Sequence, residues 1–165
     1  MRHFMFRHYW WIAIGLAATI TWLIVVKVQS NRETLVSGTV AGALGFCYFV
    51  QKQRLDELRL FKELFTEFNG RYDRMNEKLA DIYTHNSGNN PESRNVLVDY
   101  FNLCAEEYLF YQQGYIHPAA WRSWCRGMLY YLKRDSIRRV WDEEVNTDSY
   151  YGLSTALVSE GAVLK

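Results

Sequence analysis

The chain has 165 residues, room for one domain with a modest core, and balances 19 Lys and Arg against 18 Asp and Glu for a formal net charge of +1. That balance argues against a dedicated nucleic-acid binder, because neutralising many phosphates takes a visible cationic excess. The three cysteines, Cys47, Cys104 and Cys125, are odd in number and lack C-x-x-C or metal-ligand spacing, so they read as small buried hydrophobes in a reducing compartment rather than as a disulfide framework.

Two uncharged apolar stretches come first, Tyr9 to Val26 and Leu35 to Val50. Each approaches the length an α-helix needs to cross a hydrocarbon core of about 30 Å. The first is longer than the roughly 7–15-residue core of a cleaved signal peptide, and a second follows after a short connection. Residues 1–51 are therefore expected to form a transmembrane hairpin with spans at about 9–27 and 34–50, and Tyr9, Trp10 and Trp11 suit an interfacial anchor. Arg2, Arg7, Lys52, Arg54, Arg59 and Lys62 flank its outer ends, against Lys27 and Arg32 in the loop. Positive charge marks the cytoplasmic side, so both termini are expected in the cytosol.

The second stretch is rich in small residues. Gly38 and Gly42 form G-x-x-x-G, and Ala41 with Gly45 repeats the spacing. Such faces let helix backbones approach closely in lipid. Packing within the hairpin and self-association between protomers both fit them, and a homo-oligomer is expected. No ionisable residue lies mid-span, which argues against an ion pathway through one copy.

Residues 52–165 are expected to form a cytosolic helical domain. Leu58, Phe61, Phe65, Phe68, Tyr72, Met75, Leu79 and Ile82 alternate spacings of three and four, predicting a long helix over about 52–84. Bulky rings and an uncomplementary charge pattern favour packing inside a bundle over a free coiled coil. The polar stretch around Gly88 and Pro91 predicts a loop at 85–94 and offers a mobile segment. Helices follow at about 95–113, closed by Gly114, at 118–134 behind His117-Pro118, and at 136–145. The tail 146–165 is ambiguous: Asp148 could cap a short helix, but Gly152 and Gly161 weaken it. The fold class is all-α, a two-helix membrane hairpin followed by a helical bundle.

Phe61-Lys-Glu-Leu-Phe-Thr-Glu-Phe-Asn-Gly-Arg-Tyr72 and Tyr100-Phe-Asn-Leu-Cys-Ala-Glu-Glu-Tyr108, with Gly114-Tyr-Ile116, Trp121 and Gly127-Met128 beyond, resemble a widespread group of small bacterial proteins of unassigned function. Many members of that group place such motifs behind N-terminal membrane helices. The layout is also similar to that of phage abortive-infection membrane proteins. The first resemblance spans roughly Phe61 to Met128 and implies a fold and an inner-membrane setting, not an activity.

Candidate chemistry is sparse. Glu106 and Glu107 diverge by about 100° on a helix and cannot serve one reacting centre. Neither His85 nor His117 stands in the Glu-x-x-His spacing of a carboxylate-bridged metal site. Asn69, Arg71, Asn102 and Glu106 interrupt apolar faces and suit a polar network across two helices, with Glu67 a local alternative partner for Arg71 at i,i+4. Trp121, Arg122, Arg126, Arg138 and Arg139 make a basic-aromatic stretch that could touch anionic lipid or nucleic acid, although the Trp spacing suits a core and acids follow directly. No catalytic residue, cofactor or metal site is expected. The leading expectation is a non-enzymatic, membrane-anchored interaction or sensing module whose partners are the bilayer, further copies of itself and a cytosolic protein. The alternative is a membrane-perturbing effector of phage defence.

Overall fold

The computed structural model describes residues 2–28 and 30–164, with side chains from residue 11 onward. The side chains of Arg2, Arg7, Tyr9 and Trp10, expected to flank the first span, lie outside the described ones. Among the described residues every regular element is an α-helix: α1 (Arg2–Lys27), α2 (Arg32–His85), α3 (Pro91–Gln112), α4 (Pro118–Tyr131), α5 (Asp135–Val145) and α6 (Thr155–Val163). They fall into two compact units, Met1–Leu58 and Arg59–Lys165. The second apolar stretch and the heptad run on as one helix, because no proline or cap interrupts the 54 residues of α2.

Among the described residues one helix, α2, is long and apolar enough to cross a membrane, and the apolar part of α1, Trp11–Lys27, is shorter. A clear pair of spans is therefore not what the helices present. In the first unit Asn31, in the left-handed region at φ 56, turns the chain between α1 and α2. Ala13 of α1 and Cys47 and Val50 of α2 form its small buried cluster. A groove of about 600 Å³ runs between the helices, lined by Ala13, Ala17 and Ala18 on one side and Val40, Ala43 and Leu44 on the other. Alanines on both walls leave the space open.

The second unit has a conventional core. Phe68, Leu79 and Ile82 of α2 pack with Leu97, Phe101 and Cys104 of α3, Trp121, Cys125 and Met128 of α4, Ile137 and Trp141 of α5, and Val158 of α6. Each such side chain contributes roughly 1.5–3 kcal/mol by leaving water. Both prolines of the chain stand at helix starts, where no backbone donor is missed. Asn90 Oδ1 accepts from the Glu92 amide at 3.1 Å, so α3 begins at Pro91, one turn ahead of the expected 95. At its other end Gly114 takes φ 81, its amide donates to Tyr111 O at 2.9 Å and the Tyr115 amide to Phe110 O at 3.0 Å. The Phe110 and Tyr115 rings close over this turn, completing a Schellman motif.

The connection expected to be mobile is tied to α5. The Gly88 amide donates to Ser136 Oγ at 3.4 Å, and Ser136 Oγ donates to Asn86 Oδ1 at 2.7 Å. The tail resolves into α6, capped by Ser154 rather than Asp148: Ser154 Oγ accepts from the Leu157 amide at 3.4 Å. Asp148 instead adopts φ 58 in the loop before it.

Candidate functional site

Arg71 lies 35 residues from Glu106 in the chain, yet their side chains meet in a forked ion pair that ties α2 to α3. Arg71 Nη2 donates to Glu106 Oε1 at 3.1 Å, and Nη1 donates to Oε2. The planar guanidinium matches a carboxylate in this geometry, so the pair sets register as well as attraction. The hydrogen bond to Glu106 holds the Arg71 pKa above its ordinary value, against the opposing effect of burial. Glu67, the local alternative, acts on Arg71 only through its charge.

This pair forms one wall of a cleft of about 380 Å³. Arg74 and Met75 extend α2's side by a turn, Asp99 and Asn102 precede Glu106 along one face of α3, and Ser149 and Tyr151 come from the α5–α6 connection. Of the four residues expected to form a polar network, Arg71, Asn102 and Glu106 line the cleft. Asn69 does not, because its Nδ2 donates to Phe65 O one turn back on its own helix at 2.7 Å. Charges in the cleft balance, two arginines against two carboxylates. Among the described residues Arg74 and Asp99 have no ion-pair or side-chain hydrogen-bond partner.

Tyr151 reaches the cleft in an unusual way. It and Gly152 take φ 53 and φ 78, and the Leu153 amide donates to Tyr150 O at 2.8 Å, closing a turn with two left-handed central residues. Gly152 accepts this freely, whereas a tyrosine there costs roughly 1–2 kcal/mol. Tyr150 and Leu153 are buried on either side and hold the turn shut, so the ring of Tyr151 stays 53% exposed at the rim. Residues held in sparsely populated backbone regions cluster at active sites, ligand clamps and switch regions.

Glu107 diverges from Glu106 into the core, where it is 5% exposed. Burial pushes its carboxyl from 4.5 up to about 8; the Arg71 charge opposes this and Glu106 adds to it. Tyr100, Cys104 and Cys125 are within reach of its charge, and burial pushes the thiol of Cys125 up to about 12. Thiols held protonated in a core are poor nucleophiles. Sequence reading missed Glu107 as a buried group, although a signal existed: it falls three residues after Cys104 and four before Tyr111, on α3's apolar face. Among the described residues no three His, Cys, Asp or Glu side chains gather so as to hold a metal ion.

Of the basic-aromatic stretch Trp121 is buried, while Arg126, Arg138 and Arg139 are exposed and have partners within the chain. Trp121 is 1% exposed and stacks on Tyr111 at 5.1 Å. Arg122 Nη1 donates to Leu164 O at 2.6 Å and Arg126 Nε to Ala162 O at 3.1 Å. The two arginines thus serve the carbonyl-rich, negative end of α6. Arg138 faces Asp142 at 3.7 Å, and Arg139 Nη1 donates to Asn89 Oδ1 at 3.4 Å. On α2, a Cβ built at Gly38, Gly42 or Gly45 would meet no atom within 4 Å, and Ala41 is exposed. The stripe that meets α1 runs instead through Val40, Ala43 and Cys47, on the other side of the helix. Comparison with protein-family models, with curated proteins and with solved structures finds no match to this chain.

Proposed function

We propose that the protein is a membrane-anchored helical module of the bacterial inner membrane, non-enzymatic, whose second unit senses or docks a cytosolic partner. In this reading α1 and the first part of α2 are two spans, a short loop lies outside and both termini are cytosolic. The observation that supports it most is the surface of the first unit: Trp11 is 74% exposed, Trp22 64%, Leu44 63% and Phe49 62%. Proteins in water rarely leave so much contiguous apolar surface uncovered, and lipid would cover it. The apolar part of α1, Trp11–Lys27, amounts to roughly 25 Å of helix, so that a span takes either a locally thinned bilayer or extension through the preceding aromatic residues. The resemblance to small bacterial proteins with N-terminal membrane helices belongs to the same proposal.

Asn31→Cys tests the layout. A membrane-impermeant maleimide should label this variant in intact cells, against a low background because Cys47, Cys104 and Cys125 are all buried. Labelling that requires permeabilisation overturns the orientation.

The open glycine face supports self-association, since α1 does not occupy it. Gly42→Ile should then shift the protein in detergent from an oligomer to a monomer, because a β-branched side chain adds bulk where two backbones would meet. Equal monomeric mass for both forms removes the oligomer. The same face favours a second reading, an effector whose assembled hairpins perturb the membrane. Thr19 and Thr39 turn their hydroxyls onto Gly15 O and Leu35 O of their own helices, so such a pathway would need several copies. Depolarisation on induced expression, read with a membrane-potential dye, separates that effector from a neutral anchor.

A further inference from the structure

We propose that the cleft between α2, α3 and the α5–α6 connection binds a small zwitterion of the free amino acid or short peptide class. This deepens the sensing role and rests on it. Arg74 and Asp99 stand on different helices, face one cleft and have no ion-pair partner among the described residues. A ligand carrying a carboxylate and an ammonium group satisfies both at once. A simple anion would leave Asp99 opposed to it, and a simple cation would do the same to Arg74. Met75 supplies a small apolar contact and Tyr151 offers a ring at the rim. The volume of about 380 Å³ is at the small end of ligand pockets.

The Arg71–Glu106 pair fits this ligand as a fixed wall. Its charges already satisfy each other, so it draws neither end of the zwitterion away from Arg74 and Asp99. Asn102, on the same face as Asp99, is an amide that can both donate and accept.

Isothermal titration of the full-length chain in detergent tests the proposal, with free neutral amino acids in one arm and neutral tripeptides in the other. Each probe is accompanied by its N-acetyl and C-amide derivatives. One arm should show saturable binding at or below millimolar concentration, and both derivatives of the binding probe should be weaker by at least about tenfold. Arg74→Gln should weaken the parent probe by a similar factor without further weakening its C-amide. Asp99→Asn should do the same with respect to the N-acetyl form. Both residues are exposed, and circular dichroism verifies that the variants keep their helices. Absence of saturable binding in both arms, or derivatives that bind as well as their parents, overturns the proposal. A chain that labels from outside at Asn31→Cys but ignores both arms loses the ligand and keeps the anchor; binding without such labelling does the reverse.

Discussion

Glu107→Gln is expected to abolish most of a fall in stability that the wild-type chain shows between about pH 4.5 and 8. The Glu107 carboxyl is 5% exposed, and burial raises its pKa from 4.5 to about 8. The groups that face it are Tyr100, Cys104 and Glu106 on α3, Arg71 on α2 and Cys125 on α4. Only Arg71 favours the ionised form. Below pH 4.5 the carboxyl is protonated in both folded and unfolded chains and contributes no pH dependence. As pH rises further the unfolded chain releases this proton while the folded chain keeps it. Unfolding then becomes easier with each pH unit, until the folded carboxyl also ionises near 8. From 4.5 to about 8, at about 1.4 kcal/mol per unit, the full loss is on the order of 4–5 kcal/mol. An amide of the same shape does not titrate, so denaturant midpoints for the variant should stay level where those of wild type decline. Parallel pH profiles for the two proteins would show that Glu107 is solvated or paired in the folded chain.

The same residue marks a boundary of what a sequence pattern can tell. Helical periodicity assigns Glu107 to the buried face of α3, but a carboxylate at such a position is ordinarily discounted because charge avoids the core. The heptad of α2 shows the complementary problem. Phe68, Leu79 and Ile82 are buried as its spacing requires, whereas Leu58 is 63% and Phe65 40% exposed. Periodicity reports that a face is apolar and is silent about where its covering helices begin. Leu64, off the heptad, is buried instead. All-helical character is legible in the absence of strand alternation and in the His117-Pro118 start of α4, whereas the caps of α3 and α6 are not: Asn90 and Ser154 hold them where the pattern points to about 95 and to Asp148. The cleft was legible only in part. Arg71, Asn102 and Glu106 stood out as polar breaks in apolar faces, but Arg74, Asp99 and Tyr151 look like ordinary surface residues until the chain is folded. The partners of Arg122 and Arg126 were illegible for a related reason: their acceptors are the carbonyls of Leu164 and Ala162, 42 and 36 residues away, and local composition holds no trace of them.

Gly161→Ala and Gly127→Ala are expected to change stability in opposite directions, although both replace a helical glycine by the best helix former. At either site the substitution gains roughly 1 kcal/mol of helix propensity. At Gly127 of α4 a new Cβ meets nothing within 4 Å, so that gain survives. At Gly161 of α6 the Cβ would overlap the sulfur of Cys125 and lie 2.6 Å from Trp121 Nε1. Neither neighbour can retreat. Cys125 is 0% and Trp121 1% exposed, and the indole is held by Tyr111 at 5.1 Å and Tyr108 at 5.5 Å. Overpacking of this kind costs about 1–3 kcal/mol or more. Relief by moving α6 would also break the bonds from Arg122 and Arg126 to its last carbonyls, at about 1 kcal/mol or more each. The clash therefore wins at Gly161, with a net destabilisation on the order of 1–2 kcal/mol against a gain of roughly 0.5–1 kcal/mol for Gly127→Ala. Thermal unfolding of both variants in detergent, followed by circular dichroism, reads the two signs. Adding Cys125→Ala to Gly161→Ala should recover part of the loss, because it removes the sulfur that the new methyl would strike and the methyl fills the space left behind. Equal melting points for Gly161→Ala and wild type, or additive losses in the double variant, would mean that α6 does not rest on α4 through this glycine.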